Sequence, residues 1–399
     1  MRILSFSSSG IGNFLKSIRR TIPSFCALLV LAAPVTIQAQ FTYTTNADGS
    51  TITITGYTGS GGAMNIPAST NGFTVTGIQQ HAFINNYSLT SVTIPGSITN
   101  IGDAVFYSCR NLTNATISNG VTSIGGDMFN ECLSLTSVSI PDSVTNIGNG
   151  AFDDCPLTSA VIPGSVTSIG ESAFAGCDLL TNDMIANGVT SIEAQAFEDC
   201  HSLKCVELPN TLTNIGYAAF ANCYVLGNVT IPSSVIGPGD LAFAADDSLT
   251  NATFAKGATG IAHGMFAACP NLTGVFFSGN APALDGYAGD GPVFSYDTNV
   301  TVYYLIGTTG WSNTYQGVPA VLWNPQIQTS DGYFGVRSNQ FGFNITCTNS
   351  IPIVIEACTN LANPVWTPLT NVSLTNGSFY FSDPQWTNYP GRFYGIGFP

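Results

Sequence analysis

The sequence is poor in charge. Only 8% of its 399 residues are Asp, Glu, Lys or Arg, and just nine of them are basic. Phosphate recognition depends on clustered Lys and Arg, so nucleic acid is excluded as a partner and an anionic membrane surface is disfavoured. Histidine is scarcer still. His81, His201 and His263 are separated by long stretches of chain, and no cluster for zinc or for acid–base work is expected. No apolar run approaches the roughly 20 residues of a membrane-spanning helix. The strings Gly-x-Ser-x-Gly, His-Glu-x-x-His and the phosphate-binding glycine loops are absent, as is any Cys-x-x-Cys pair. No catalytic residue, metal site or cofactor is signalled.

What is present favours strands and turns. Hydrophobic residues make up 44% of the chain, aromatics 11%, and 42 residues are glycine, a composition able to pack cores but ill suited to long helices. Arg2, Lys16, Arg19 and Arg20 precede a short apolar run, Phe25 to Val35, followed by Ile37-Gln38-Ala39. A basic start, a short apolar middle and a small residue before the cut predict a secretory signal over 1–39, cleaved after Ala39. Its loss leaves five basic residues against 23 acids, a net charge of −18. Almost all of that acidity lies between residues 41 and 323.

A motif recurs through the middle of the chain: Ile-Gly-x-x-Ala-Phe-x-x-Cys-x-x-Leu-x-x-Val-x-Ile-Pro. Its phenylalanines are Phe83, Phe106, Phe129, Phe152, Phe174, Phe197, Phe220, Phe243 and Phe266, 23 residues apart except for one step of 22. Numbering the repeats by these residues gives coils one to nine. In each Leu-x-x-Val-x-Ile run, apolar residues two apart share one face of a short strand. One unit cannot bury that face alone, but stacked units seal a continuous core, each strand pairing with its neighbours about 4.8 Å away. The Ile-Gly-x-x-Ala-Phe segment is too short for an ordinary helix and is expected to form a helical or 3-10 turn with Phe as an inward plug. In coil eight, Pro238 replaces the lead Ile and Asp246 replaces Cys, so a bend or bulge is expected there.

These units resemble the bacterial BspA-type leucine-rich repeat, as Val121 to Pro141 (VTSIGGDMFNECLSLTSVSIP) and Val189 to Pro209 (VTSIEAQAFEDCHSLKCVELP) show. The resemblance implies an exported or surface-displayed bacterial protein that binds other macromolecules, and it implies no active site. The expected fold class is a leucine-rich-repeat solenoid of parallel β-strands and short helical or 3-10 turns, with a small C-terminal antiparallel β-sandwich-like domain. The domains expected are an N-terminal cap at 40–77, nine repeats at 78–281, a closing cap at 282–323 and a separate β domain at 324–399. Within the last, Asn376-Gly377 between alternating residues predicts a hairpin.

Seven cysteines stand in register three residues after a ladder Phe: Cys109, Cys132, Cys155, Cys177, Cys200, Cys223 and Cys269. One thiol per coil makes a line, whereas a metal needs convergence, so they read as buried free thiols. Glu131, Asp153, Asp154, Glu198 and Asp199 fall between the Phe and Cys positions and form a candidate acidic ridge. Asp285, Asp290 and Asp297 in the glycine-rich closing segment are a candidate for weak calcium binding, with solvated turns as the alternative. The strand positions flanking the inward Val alternate outward and are mostly Ser, Thr and Asn. Val161, Met184, Cys205, Glu207 and Phe276 break that polar ribbon and form the candidate binding face. The function expected is a secreted or cell-surface scaffold that recognises protein or glycan without catalysis. The alternative is a surface-layer or matrix component that self-associates.

Overall fold

The structure, a computed structural model, describes residues 41–285, 291–375 and 377–399, with the side chains of Asp183, Met184 and Asp285 outside the description. The expected signal segment, Asp290 and Asn376 lie outside the described residues. Residues 39–399 form one compact unit.

Each 23-residue period is one coil of a solenoid, and its three sides follow from three segments of the motif. The Leu-x-x-Val-x-Ile run gives the first side, with strands such as Leu89–Ile94, Asn114–Ile117 and Ser137–Ser139 paired in parallel register, Ser91 opposite Asn114 and Asn114 opposite Ser137. Alternation places Val92, Ala115, Val229 and Val275 in the core. The second side is a ladder of two-residue strands, from Ser123–Ile124 to Gly237–Pro238, whose isoleucines are buried. Beside it, threonine hydroxyls tie coil to coil: Thr145, Thr167, Thr190 and Thr213 each donate Oγ1 to the threonine carbonyl one coil earlier.

The third side carries the phenylalanines and differs from expectation. No helix forms there. Each turn places two residues four apart in the left-handed region, for example Ala104 and Ser108, Gln195 and Asp199, Ala218 and Asn222. Alternation of hand turns every second N–H along the solenoid axis. Ala104, Phe106 and Ser108 therefore donate to the carbonyls of Gly126, Met128 and Asn130 in the next coil. The alternate N–H groups, those of Tyr107 and Cys109, still donate within the turn to the Ala104 and Phe106 carbonyls, so bonds between coils replace only half of those a helix would need. Inside this side the phenyl rings of coils one to nine stack at 5.0–5.9 Å between centroids with interplanar angles of at most 19°. Parallel stacking at that separation is a favourable aromatic geometry.

Coil eight holds no bulge. Gly237 and Pro238 keep register with Asn214 and Ile215, and the Gly239 N–H donates to the Ile215 carbonyl at 2.7 Å. Pro238 has no N–H to offer coil nine, so the ladder stops there, and Gly260–Ala262 pairs with Ala283–Asp285 instead.

Both ends continue the stack before closing it. At the N-terminal end Gly62–Asn65 pairs in parallel with Leu89–Ile94, while Phe41–Thr45 closes the end by antiparallel pairing with Thr51–Tyr57. At the other end Thr301–Leu305 and Val318–Trp323 add two further parallel strands, and Phe294 stacks on Phe266 as a tenth rung. The segment expected as a closing cap thus extends the solenoid itself.

The C-terminal β module has two antiparallel sheets. One holds Gln326–Gln328, Gly335–Arg337, Gln340–Thr346 and Ser378–Asp383; the other holds Pro352–Cys358, Thr367–Ser373 and Phe393–Gly397. The hairpin expected at Asn376-Gly377 is not formed, because Thr367–Ser373 and Ser378–Asp383 belong to different sheets and buried Leu374 marks the crossing. The tight hairpin lies instead at Ser338 and Asn339, both left-handed, between Arg337 and Gln340. Nor is the module separate from the solenoid. Phe276, Tyr303 and Trp323 of the last coils share one apolar cluster with Phe343, Ile345, Ile353, Ile355 and Phe381 of the module.

Candidate binding face

The outward positions of the strand side form two rows, and the parallel register fixes which side chains are neighbours. Val161 stands opposite Met184, and Met184 opposite Glu207, while Cys205 stands opposite Asn182. Four of the five candidates therefore meet on one three-stranded sheet, Ala160–Ile162, Asn182–Ile185 and Cys205–Glu207. This sheet is set off from the strands before it where coil four is one residue short, between Cys155 and Leu157. Val161 is 60% exposed, and Cys205 and Glu207 are exposed. The Cys205 thiol lies 3.4 Å from the Asn182 Oδ1 and donates to it. The side chain of Met184 lies outside the described residues.

Phe276 must be corrected as an open binding position. It projects from the strand side as expected, but it is 0% exposed, stacked on Tyr303 at 5.0 Å and covered by Phe398 at 5.0 Å. Phe398 in turn meets Trp323 edge-on at 4.5 Å. The residue is a docking contact, and the docked partner is the chain's own C-terminal module. Where the two meet, a crevice of about 510 Å³ opens between Asn251, Thr273 and Gly274 of the strand side and Ser350, Pro352, Asn371 and Ser373 of the module.

The acidic ridge divides by environment. Asp153 is half-buried, and burial with Asp154 and Asp127 nearby lifts its carboxyl to about 6. Burial also raises Glu198, with the Gln195 amide opposing the shift. Glu131 moves the other way, held down by hydrogen bonds from Tyr107 at 2.8 Å and Arg110 at 2.6 Å. Among the described residues no three His, Cys, Asp or Glu side chains are arranged to hold a metal ion. Of the calcium candidates, Asp290 and the side chain of Asp285 lie outside the described residues, and Asp297 is buried.

Sequence reasoning missed one cluster beside the central sheet. The His201 Nδ1 lies 2.6 Å from the Asp178 Oδ1 and its ring stacks on Tyr224 at 4.6 Å, three adjacent coils contributing one residue each. Asn222 donates to Asp199 on the same edge at 2.8 Å. The signal was present: these residues share one phase of the repeat, four positions after the ladder Phe for Asp178, His201 and Tyr224.

The thiol column is chemically quiet. Each Sγ donates to the carbonyl of the Phe one coil earlier, at 3.1–3.4 Å. Burial pushes the Cys109 thiol up to about 11 and those of Cys132, Cys155, Cys177, Cys223 and Cys269 higher, so thiolate is disfavoured at these positions. No helix among the described residues is long and apolar enough to cross a membrane.

No curated protein matches the chain. Among solved structures, a leucine-rich repeat protein from Bacteroides ovatus aligns with a TM-score of 0.59 at 24% identity, over 73% of this chain and 77% of that one. A T. pallidum leucine rich repeat protein aligns at 24% identity with a TM-score of 0.30, over 62% of this chain and 84% of that one. Six copies of the model for the BspA type leucine rich repeat region match residues 63–181 and 167–289, more than half of the chain. With its 23-residue coils, its phenylalanine stack and its parallel strand side, the protein belongs to the BspA-type leucine-rich repeat family.

Proposed function

We propose that the protein is an exported, non-catalytic binding scaffold whose strand side takes a protein or glycan on another surface. The observation that carries this reading is the fixed rung Val161–Met184–Glu207, flanked by Cys205. It interrupts an otherwise small and polar ribbon with an exposed apolar side chain and a charge. Isolated bulky groups on a rigid, regular surface supply anchors, and parallel pairing presents them without ordering cost. The N-terminal signal pattern supports export. Family membership supports a scaffold role.

The test is retention of partners by residues 40–399 on protein and glycan arrays, compared with Val161→Asp and Glu207→Lys variants. Specific retention lost in both variants supports the reading. Retention unchanged in both, or none at all, overturns it. Large assemblies of the purified chain in light scattering would favour a self-associating surface layer instead.

A further inference from the structure

The cysteine position is Asn86 in coil one, before the thiol column starts, and from coil eight onward it is twice aspartate. Asp246 stands at the cysteine position of coil eight. Asp297, three residues after Phe294, stands at the same position of the tenth rung, with Cys269 between them. Asp246 is 0% exposed; its Oδ1 accepts the Cys223 N–H at 2.8 Å, while its Oδ2 has no partner among the described residues. Asp297 is 9% exposed, and among the described residues neither carboxyl oxygen makes a well-formed hydrogen bond, the Cys269 backbone amide only favouring its charge from nearby. In the thiol coils the same site is satisfied by an S–H donated to the preceding Phe carbonyl, so the position offers an acceptor to any donor placed there. A neutral carboxylic acid, with its one O–H, is a donor; a carboxylate is not.

We infer that Asp246 and Asp297 form a pH-sensitive latch: seated as neutral acids they close the last coils, and their ionisation loosens coils eight to ten and uncovers Cys269. Relief for the charge comes only from the Cys223 and Cys269 backbone amides, and none from the titratable groups facing the two acids. Around Asp246 these are the Cys223 and Cys269 thiols in the coils on either side and the Asp247 carboxylate next to it; Asp297 faces the Cys269 thiol. Neither forms an ion pair among the described residues. Burial raises Asp297 to about 6, with the Cys269 backbone amide opposing, and raises Asp246 well above the ordinary carboxylate range. A carboxyl whose folded value is raised contributes stability fully below its unfolded value. That contribution is lost as pH rises from about 4 through the folded value. The latch is therefore shut in acid and weakened toward neutral and alkaline pH.

Its position gives the loosening a consequence. Coil nine and the next strand supply Phe276 and Tyr303, the seat of the C-terminal module. Opening these coils would free that seat, whereas the all-thiol coils two to seven would stay closed.

The test is alkylation of the native full chain with iodoacetamide from about pH 5 to about pH 8, with modification of each cysteine read by peptide mass. Labelling of Cys269 is taken relative to Cys177, another buried thiol of the same column, so that the common rise in thiolate cancels. The ratio is expected to climb by about tenfold or more across the range, and to stay flat in Asp246→Asn/Asp297→Asn, which keeps the shape of the neutral acid but cannot ionise. A flat ratio in the unaltered chain overturns the proposal without any variant. An equal climb in the double variant overturns it as well.

Discussion

Phe174 shows how one residue contributes to a stack. It is fully buried, and its ring lies 5.2 Å from those of Phe152 and Phe197. Phe174→Ala is expected to destabilise the protein by about 3–5 kcal/mol, read as a lower denaturant midpoint. Cysteine reactivity should separate the same way. Cys205 is exposed and the seven column thiols are not, so a thiol reagent at neutral pH should modify Cys205 first and leave Cys109 to Cys223 protected until unfolding. Both expectations were legible in the repeat, because a side chain's phase within 23 residues fixes whether it points in or out. The fate of Phe276 was not. Its phase gave the outward direction correctly, but its cover comes from Phe398, more than a hundred residues away in a segment without the repeat.

At the scale of the element, the strand sides could be read from alternation and the phenylalanine side could not. Ala104, Gln195, Ala218 and Leu241 carry no preference for left-handed backbone, yet all adopt it. The bonds they gain lie between coils, and no local signal encodes those. The hairpin expected at Asn376-Gly377 fails for the mirror-image reason: the pair favours a left-handed turn, but nothing local says which sheet the next strand joins. Some glycines, by contrast, are required by contact between coils. A Cβ on Gly188, whose φ is +126°, would lie 1.9 Å from the Gly164 carbonyl oxygen, and one on Gly164 would lie 2.2 Å from that of Asn187. Gly188→Ala must therefore push neighbouring coils apart at this corner. A loss of roughly 1–3 kcal/mol is expected in chemical denaturation, with local hydrogen exchange speeding around residues 164 and 188.

For the whole molecule, the determining feature is the seam between solenoid and module. Only two residues separate the strand ending at Trp323 from the one beginning at Gln326, and the two bodies share an apolar cluster. Ending the chain at Trp323 should therefore leave the coils folded but uncover Phe276 and Tyr303. The expected result is an unchanged far-ultraviolet spectrum with new binding of a hydrophobic dye and a tendency to associate. Loss of folded signal on this truncation would mean that the module belongs to the solenoid's own core. The number of coils beyond the nine phenylalanines was hidden from the sequence for a related reason. The step from Phe266 to Phe294 is 28 residues, and a period cannot be followed across an insertion unless the stacked ring itself is seen.

The bonds joining one coil to the next run along the axis of the stack, in the threonine ladder, the strand side and the left-handed turns alike. Drawn out from its two ends, such a stack has no rung that carries the load for the others. It should give way one coil at a time, each event releasing about 23 residues, or roughly 80 Å of extended chain. A body built this way behaves as an extensible spring, lengthening in steps under tension rather than snapping.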